Sequence, residues 1–572
     1  MLKKIEFENY RCFQKTSLDF RDITIIVGKN NAGKSTIVEA LRLVAAAEKK
    51  SRTTKVYMEP PEDLHLPLIN KGFYLDISKL KIDLRNIIYF YNREYAKVTA
   101  TFENDSKITI YLKSEFVFVT MSDSSGVIMS SKSRSNQLAI SAIDILPQIG
   151  LIKENEKLLT EQTIKSDKDT YLSSRHFRNE LLLFKKDYFD DFKKIAEATW
   201  PGLRVRSLDY NPSDSECISL FVQDDGFPAE IGLMGSGLQM WLQIIWFIAR
   251  CAECTTIILD EPDVYMHPDM QRKILDIIKG KYQQIIIATH SVEIISAVDE
   301  RCIVTVDKNA RKMKYANSSK AVQGIIDGLG SVHNLALVRL ANSRKCLFVE
   351  GKDLKILTRL KEKLDIQEQQ PLDTLPCIPL GGFSKLNEAF GASKLFHEET
   401  DGAIVCHCIL DRDYFSAKFI ESQMLAAQDA HLYLHVWEKK EIENYLLIPE
   451  AIFRIIDKPY AEYEDFRAKL EALIDGQKDD VVLQFANQLQ IQDSKRKDLG
   501  SYVKSAREYV EQSWGTLEQK LSIIGGKYAL SLINSWIKSN YHKHCSQATI
   551  LSVIKAEDIS SEMVEVIRAL CS

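Results

Sequence analysis

Polar and apolar residues alternate over residues 4–10, the period of a strand with one buried face. Continuous apolar runs follow at 23–27, 255–259, 284–289 and 302–306. Runs of the second kind suit parallel strands covered on both faces. Helical spacing marks 36–43 and 240–249, whereas 73–129 is rich in β-forming runs such as 108–112. Residues 154–199 read as helical and heavily charged, an inserted module for coil or dimer contacts, or else a solvated helical arm. A polar, basic stretch at 307–320 closes this half. A second α/β pattern begins with a strand at 345–349, followed by Leu354, Leu357, Leu360 and Leu364 at helical spacing. Further strands are predicted at 375–380, 403–410 and 432–437, and from 461 onward the pattern is mostly amphipathic helix. The expected architecture is α/β throughout: a first domain over 1–335 with a helical insertion at about 150–200, a second over 340–460, and a helical region over 461–572 that completes the second.

Composition adds bounds rather than direction. In 572 residues, 75 basic and 79 acidic side chains leave a formal charge of −4, so a nucleic-acid role must rest on local basic surface. Candidates are Lys49, Lys50, Arg52 and Lys55, and residues 495–497 with Lys504 and Arg507; the plain reading of the first group is a wet loop. The eleven scattered cysteines fit reduced thiols, and Cys251 with Cys254 forms a lone CxxC that reads as packing rather than zinc. No apolar stretch is long enough to cross a membrane, and residues 1–4 run straight into strand sequence, so a cytoplasmic location is expected.

Two sets of phosphate-handling residues stand out. Gly28-Lys29-Asn30-Asn31-Ala32-Gly33-Lys34-Ser35-Thr36 lies between strand and helix, where backbone N–H groups wrap phosphate oxygens. Asn30, Asn31, Gly33 and Thr36 would contact nucleotide, Lys34 would reach the β and γ phosphates, and the Ser35 hydroxyl would hold Mg2+. The strand at 255–259 ends in Asp260-Glu261-Pro262-Asp263: Asp260 can bind Mg2+ through water and Glu261 can polarise the attacking water. His290, at the next strand's exit, could sense the γ phosphate. Ser236 and Gly237, in Gly235-Ser236-Gly237-Leu238-Gln239, open a helix whose N-terminus offers N–H donors to an anion. The second set is carboxylic: Glu350-Gly351 after one strand, Gly381-Gly382 after the next, Asp411-Arg412-Asp413 after the third. Acids crowded at the carboxyl ends of parallel strands repel unless cations join them, and oxygen ligands suit Mg2+ or Mn2+.

With Asn9-Tyr10-Arg11-Cys12-Phe13, the Walker A loop, Gly235 to Gln239, Asp260-Glu261 and His290 in that order, the first half resembles ABC-type ATPases of the RecF and structural-maintenance-of-chromosomes kind. That resemblance implies a head-to-tail homodimer or higher oligomer, the Gly235–Gln239 signature of one subunit completing the ATP site of another; Gly235-Ser236-Gly237 departs from the usual Ser-Gly-Gly. Glu350-Gly351 and Asp411-Arg412-Asp413 resemble the Toprim domain, and Glu441-Ile442-Glu443-Asn444-Tyr445 with Gly525-Gly526-Lys527 is similar to the nuclease segments of the OLD family. The resemblance implies Glu350, Asp411, Asp413 and Lys527 in catalysis and Glu350, Asp353, Asp411, Asp413, Glu441 and Glu443 as metal ligands, two ions flanking an in-line displacement. Many members carry an acid where this chain has Leu354; Asp353 stands one residue before it. The whole is similar to OLD-family endonucleases, an ABC-type ATPase fused to a Toprim nuclease, as found in Gabija and retron anti-phage defence. ATP, a divalent metal, DNA and an accessory protein (helicase-like, or a reverse transcriptase with its small DNA) are implied. The alternatives are a RecF-like repair ATPase whose Toprim domain does not cleave, an RNA-cleaving effector acting on tRNA, and a topoisomerase or primase, for which no tyrosine-bearing or zinc module is seen.

Overall fold

The computed structural model describes all residues except 30, 79, 81, 92–94, 169, 171, 211–215, 252–255, 265, 329–333, 352, 365, 367–371, 493–498 and 572. Asn30, Cys254 and the basic run 495–497 therefore lie outside the described residues. The chain divides into two compact units, Met1–Leu335 and Ala336–Ser572.

In the first unit, Ile23–Val27 pairs in parallel with Gln284–Ala288 on one side and Ile303–Thr305 on the other. Thr256–Asp260 and Ile143–Ile145 extend the sheet beyond Gln284–Ala288, again in parallel. Each strand is covered twice, which is why its sequence is continuously apolar. Ile26, Ile258, Ile286 and Val304 point into a core shared with the helix Lys34–Ser51 and an antiparallel sheet built on Leu2–Tyr10 and Ala96–Phe102. Ile25, Ile257, Leu259 and Ile287 point the other way, against the helices Ser236–Arg250 and Pro268–Lys279. The charged stretch, read as an inserted module or a solvated helical arm, packs one face of its helices onto the first unit. Phe177 and Leu181 of Phe177–Leu183, and Phe192 and Ala196 of Lys185–Thr199, are buried in that second core. The Phe192 ring meets Trp246 edge-on at 5.9 Å. Spacings of four residues put the apolar side chains on one helical face, and the charges occupy the outer one.

The second unit has a four-stranded parallel sheet in the order Cys377–Pro379, Lys345–Val349, Val405–Leu410, Leu432–Val436. Pro379, which has no N–H to donate, sits in the edge strand and shortens it. Cys346, Phe348, Cys408 and Leu410 pack with Leu386, Ala389 and Ala427 of the helices Leu386–Glu399 and Ala417–Asp429. Leu347, Val349 and Ile409 share a core with the helices of the carboxyl-terminal region, among them Tyr463–Asp475, Gly526–Tyr541 and Ser561–Cys571. Among the described residues no helix is long and apolar enough to cross a membrane.

His407, on Val405–Leu410, stacks on Tyr433 at 5.2 Å, and burial, with Lys345 nearby, lowers its pKa to about 4 from the usual 6.5. The folded state thus prefers neutral imidazole, so this contribution is complete above pH 6.5 and fades as pH falls toward 4. His407→Gln is expected to remove about 2–3 kcal/mol of acid sensitivity across that window. Unfolding titrations at pH 7 and 4.5 check it.

Candidate functional site

The nucleotide loop follows Ile23–Val27 and feeds the helix Lys34–Ser51, whose N-cap Gly33 has φ 112°. A Cβ at Gly33 would lie 2.7 Å from the Phe13 ring and 3.0 Å from Cys12 Sγ, so only glycine lets the loop close over the 9–13 segment. That segment is fixed in turn: Tyr10 Oη donates to Glu39 Oε1 at 2.6 Å, Arg11 donates to both oxygens of Glu39 at 2.9 and 2.8 Å, and Cys12 Sγ reaches Thr36 Oγ1 at 3.6 Å. Lys34 is buried and donates to the carbonyl of Gly28 at 2.9 Å, its pKa lowered by burial while Glu261 and Asp260 pull it upward. Asn31, in left-handed backbone, and Ser35 are exposed on the loop.

Asp260 closes Thr256–Asp260 and is ion-paired with Arg42 at 3.1 Å; burial raises its pKa and Arg42 opposes the rise. Arg42 belongs to the loop's own helix, and the sequence reading gave it no role. Glu261 adopts φ 45° while its N–H donates to Ala288 O at 2.8 Å, a left-handed, non-glycine position at the strand exit. His290 is half-buried, its pKa lowered by burial and then by Lys34, with Glu261 and Asp263 acting the other way; these four side chains feel one field. Gln148 is exposed just past Ile143–Ile145, the parallel neighbour of Thr256–Asp260. Ser236 and Gly237 open Ser236–Arg250, with Ser236 exposed, and Gln239 Nε2 ties down the preceding turn through Met234 O at 2.8 Å.

In the second unit the chain reverses its direction of travel between Lys345–Val349 and Val405–Leu410, the switch point where open parallel sheets take ligands. Glu350 and Asp411 leave those two strands side by side: Asp411 N donates to Glu350 Oε2 at 3.2 Å, and Asp411 Oδ1 accepts from Ile442 N at 2.9 Å. Asp413 has φ 45° and its N–H donates to Lys440 O at 2.9 Å. Glu441 Oε2 accepts from Lys527 N at 3.2 Å and its Oε1 pairs with Lys440 Nζ at 3.1 Å; Lys527 Nζ lies 3.7 Å from Glu443. Burial, then Glu350, pushes the Asp411 carboxyl up to about 8. Burial also raises Glu350, with Asp413 adding to it, and raises Asp353 and Glu443, both opposed by Lys527. Asp353, at the head of Asp353–Lys361, is the acid that joins this field, whereas Leu354 packs toward the apolar core. The structure therefore brings Glu350, Asp353, Asp411, Asp413, Glu441, Glu443 and Lys527 together.

Among the described residues, Asp353 Oδ2 and Glu443 Oε2 are buried without a hydrogen-bond partner, an arrangement that costs free energy unless a cation meets them. The residues thus fit hard divalent ions. Among the described residues no three His, Cys, Asp or Glu side chains converge tightly enough to enclose an ion as they stand; Asp411 and Glu350 are each turned to a backbone N–H. The hub of this region is Asn444, fully buried, whose Nδ2 donates to Leu521 O and Ile524 O at 2.7 and 2.8 Å while its Oδ1 accepts from Glu441 N at 2.9 Å. A Cβ at Gly526 would lie 2.7 Å from that Oδ1, so the glycine lets Lys527 approach the acids. Asn444→Ala leaves these backbone groups unpaired and is expected to cost about 2–4 kcal/mol in urea unfolding of this unit.

Fold and loop give the first unit the strand, glycine-rich loop and helix of a P-loop nucleotide-binding domain on a largely parallel sheet. Residues 23–296 match the family model described as "AAA domain, putative AbiEii toxin, Type IV TA system". The chain is 23% identical over 424 residues to the Old nuclease of Escherichia phage P2, covering 65% of this chain and 71% of that protein. It is 26% identical over 136 residues to the DNA double-strand break repair Rad50 ATPase of Archaeoglobus fulgidus, 22% of this chain and 15% of that one. A solved structural-maintenance-of-chromosomes head bound to the C-winged helix domain of ScpA aligns over 56% of this chain and 99% of its own at 18% identity and a TM-score of 0.35. The OLD-family resemblance drawn from the motifs is borne out by the similarity to the Old nuclease and by the match to the ATPase-domain model.

Proposed function

We propose that this protein is an ATP-regulated, divalent-metal-dependent endonuclease that cleaves or nicks DNA, its second unit a Toprim domain and its biological setting anti-phage defence. The observation that carries the reading is the pair of orphaned, buried oxygens on Asp353 and Glu443 inside a cluster that also holds Glu350, Asp411 and Lys527. Mg2+ or Mn2+ held by Glu350, Asp353, Asp411, Asp413, Glu441 and Glu443 would supply Lewis-acid stabilisation of the oxygens of an in-line phosphoryl displacement. Lys527, anchored through its backbone N–H to Glu441, presents its ammonium where negative charge grows on the phosphate. Asn444 holds the two segments that carry Glu441, Glu443 and Lys527 in register.

In the first unit, Lys34, which donates to the Gly28 carbonyl, would turn to nucleotide phosphate, Ser35 and Asp260 would hold its metal, and Glu261 would orient water beside His290. The exposed start of Ser236–Arg250 offers Ser236 and Gly237 to nucleotide on a second copy. Arg42, ion-paired with Asp260, would share that acid with the metal. Incubating the full chain with supercoiled plasmid, Mn2+ or Mg2+, and ATP tests the reading. Nicked or linear product that EDTA abolishes supports it. Intact plasmid under every nucleotide condition, with ATP still hydrolysed, overturns it in favour of a DNA-binding ATPase, and cleavage confined to RNA would reassign the substrate.

A further inference from the structure

Next to the carboxylate cluster, and sharing Asp413 with it, lies a cavity of about 490 Å³ whose walls belong wholly to the second unit. Its volume falls in the range of about 300–1,000 Å³ that takes small ligands. Three features of its lining point to one ligand chemistry.

The first is cationic. Arg412, the middle residue of Asp411-Arg412-Asp413, lines the cavity half-buried, and its guanidinium has no hydrogen-bond or ion-pair partner among the described residues. Lys440, also in the lining, is by contrast committed to Glu441 and to the face of Tyr414 at 4.5 Å. An uncommitted planar fork one residue from the acids, held on a backbone fixed by the Asp413 N–H to Lys440 O bond, suits a phosphate beside the one being cut. The second is aromatic. Tyr509 is 40% exposed and its ring is buttressed by buried Phe485 at 4.6 Å, with Phe415 on the opposite segment. A tyrosine supported from behind and open in front is a stacking platform. The third is amide: Gln512 is exposed, and Gln519, whose Oε1 accepts from Thr516 N at 3.1 Å, keeps its Nε2 donor for the edge of a base. The helix Leu499–Gln512 that supplies Tyr509 and Gln512 also carries Lys504 and Arg507 at its surface.

Resting on the nuclease reading, we propose that this cavity receives one unpaired nucleotide flanking the scissile phosphate, its base on Tyr509 and its phosphate on Arg412. A base stacked inside a duplex cannot enter such a cavity, so the preferred substrate presents single-stranded, frayed or flipped-out nucleotides at the cut.

The test uses full-length protein carrying Asp411→Asn, expected to bind without cutting, and a fluorescent oligothymidylate of twelve residues alongside a twelve-base-pair duplex. Tyr509→Ala is expected to weaken oligothymidylate binding about 10-fold, the worth of one stacked base, and Tyr509→Phe to restore it. Arg412→Gln is expected to weaken it and to reduce the salt dependence by about one phosphate contact. Duplex affinity should change less than about twofold in Tyr509→Ala. Unaltered oligothymidylate binding in both Tyr509→Ala and Arg412→Gln overturns the proposal, as does equal weakening toward duplex. If Asp411→Asn fails to stop cleavage in the otherwise native chain, the nuclease centre is misplaced, an outcome separate from either binding result.

Discussion

Asp411→Asn is expected to lower strand cleavage by about 10³-fold while ATP turnover stays within about twofold of the native rate. Asp411 occupies the end of the central strand, between Glu350 and the turn at Ile442, and its carboxyl is pushed up to about 8 because burial and neighbouring acids disfavour its charge. An amide there keeps an oxygen to accept the Ile442 N–H but withdraws the negative charge that a divalent ion requires. The same change relieves repulsion, so the metal-free variant should unfold about 1–3 kcal/mol later than the native chain, and added Mn2+ should stabilise it far less. Plasmid nicking, phosphate release and thermal unfolding with and without Mn2+ read all three. A structural carboxylate with no metal to hold would give the stabilisation without the loss of cleavage.

Glu261→Gln is expected to slow ATP hydrolysis about 10²–10³-fold with nucleotide still bound. The side chain leaves a residue whose left-handed backbone is held by the Ala288 carbonyl, and its charge reaches Lys34 and His290. Glutamine preserves shape and loses the ability to polarise water. Rapid-filtration retention of labelled ATP together with phosphate release separates binding from chemistry. Loss of binding as well would assign Glu261 to the phosphate cradle instead. Because Asp411 and Glu261 belong to different units, each variant should leave the other reaction's residues in place.

The two parallel sheets were legible because burial on both faces writes uninterrupted apolar runs, and the loop at Gly28–Ser35 because few residue types allow that turn. Even the need for glycine at 33 has its cause in sequence view, since Phe13 sits in the 9–13 motif, although nothing in the sequence says that the ring lies under the loop. Other features were out of reach for reasons of geometry. Arg42 reads as one charge on an apolar helix until the fold brings Asp260 to 3.1 Å from it. Charge density left 154–199 readable as either an inserted module or a solvated arm, because a heavily charged outer face outweighs four well-spaced apolar residues in any window average. Asp353 and Leu354 are adjacent, and only the start of the helix at Asp353 decides which side chain faces the acids. Asn444 stood inside a recognised segment, yet its three hydrogen bonds to backbone 77 and 80 residues away, and to its own turn, depend on tertiary structure. Left-handed backbone at Glu261 and Asp413 has no sequence signature at all, and marks the two strand exits where each unit's acids emerge.

The proposed chemistry requires divalent ions among the acids of the second unit. Anomalous diffraction from crystals of the full chain grown with Mn2+ measures this directly. Density is predicted between Glu350, Asp411 and Asp353, with a further position toward Glu443 and Lys527, and none of it in Asp411→Asn. Manganese found only beside Ser35 and Asp260, with the second unit's carboxylates left bare, would contradict it.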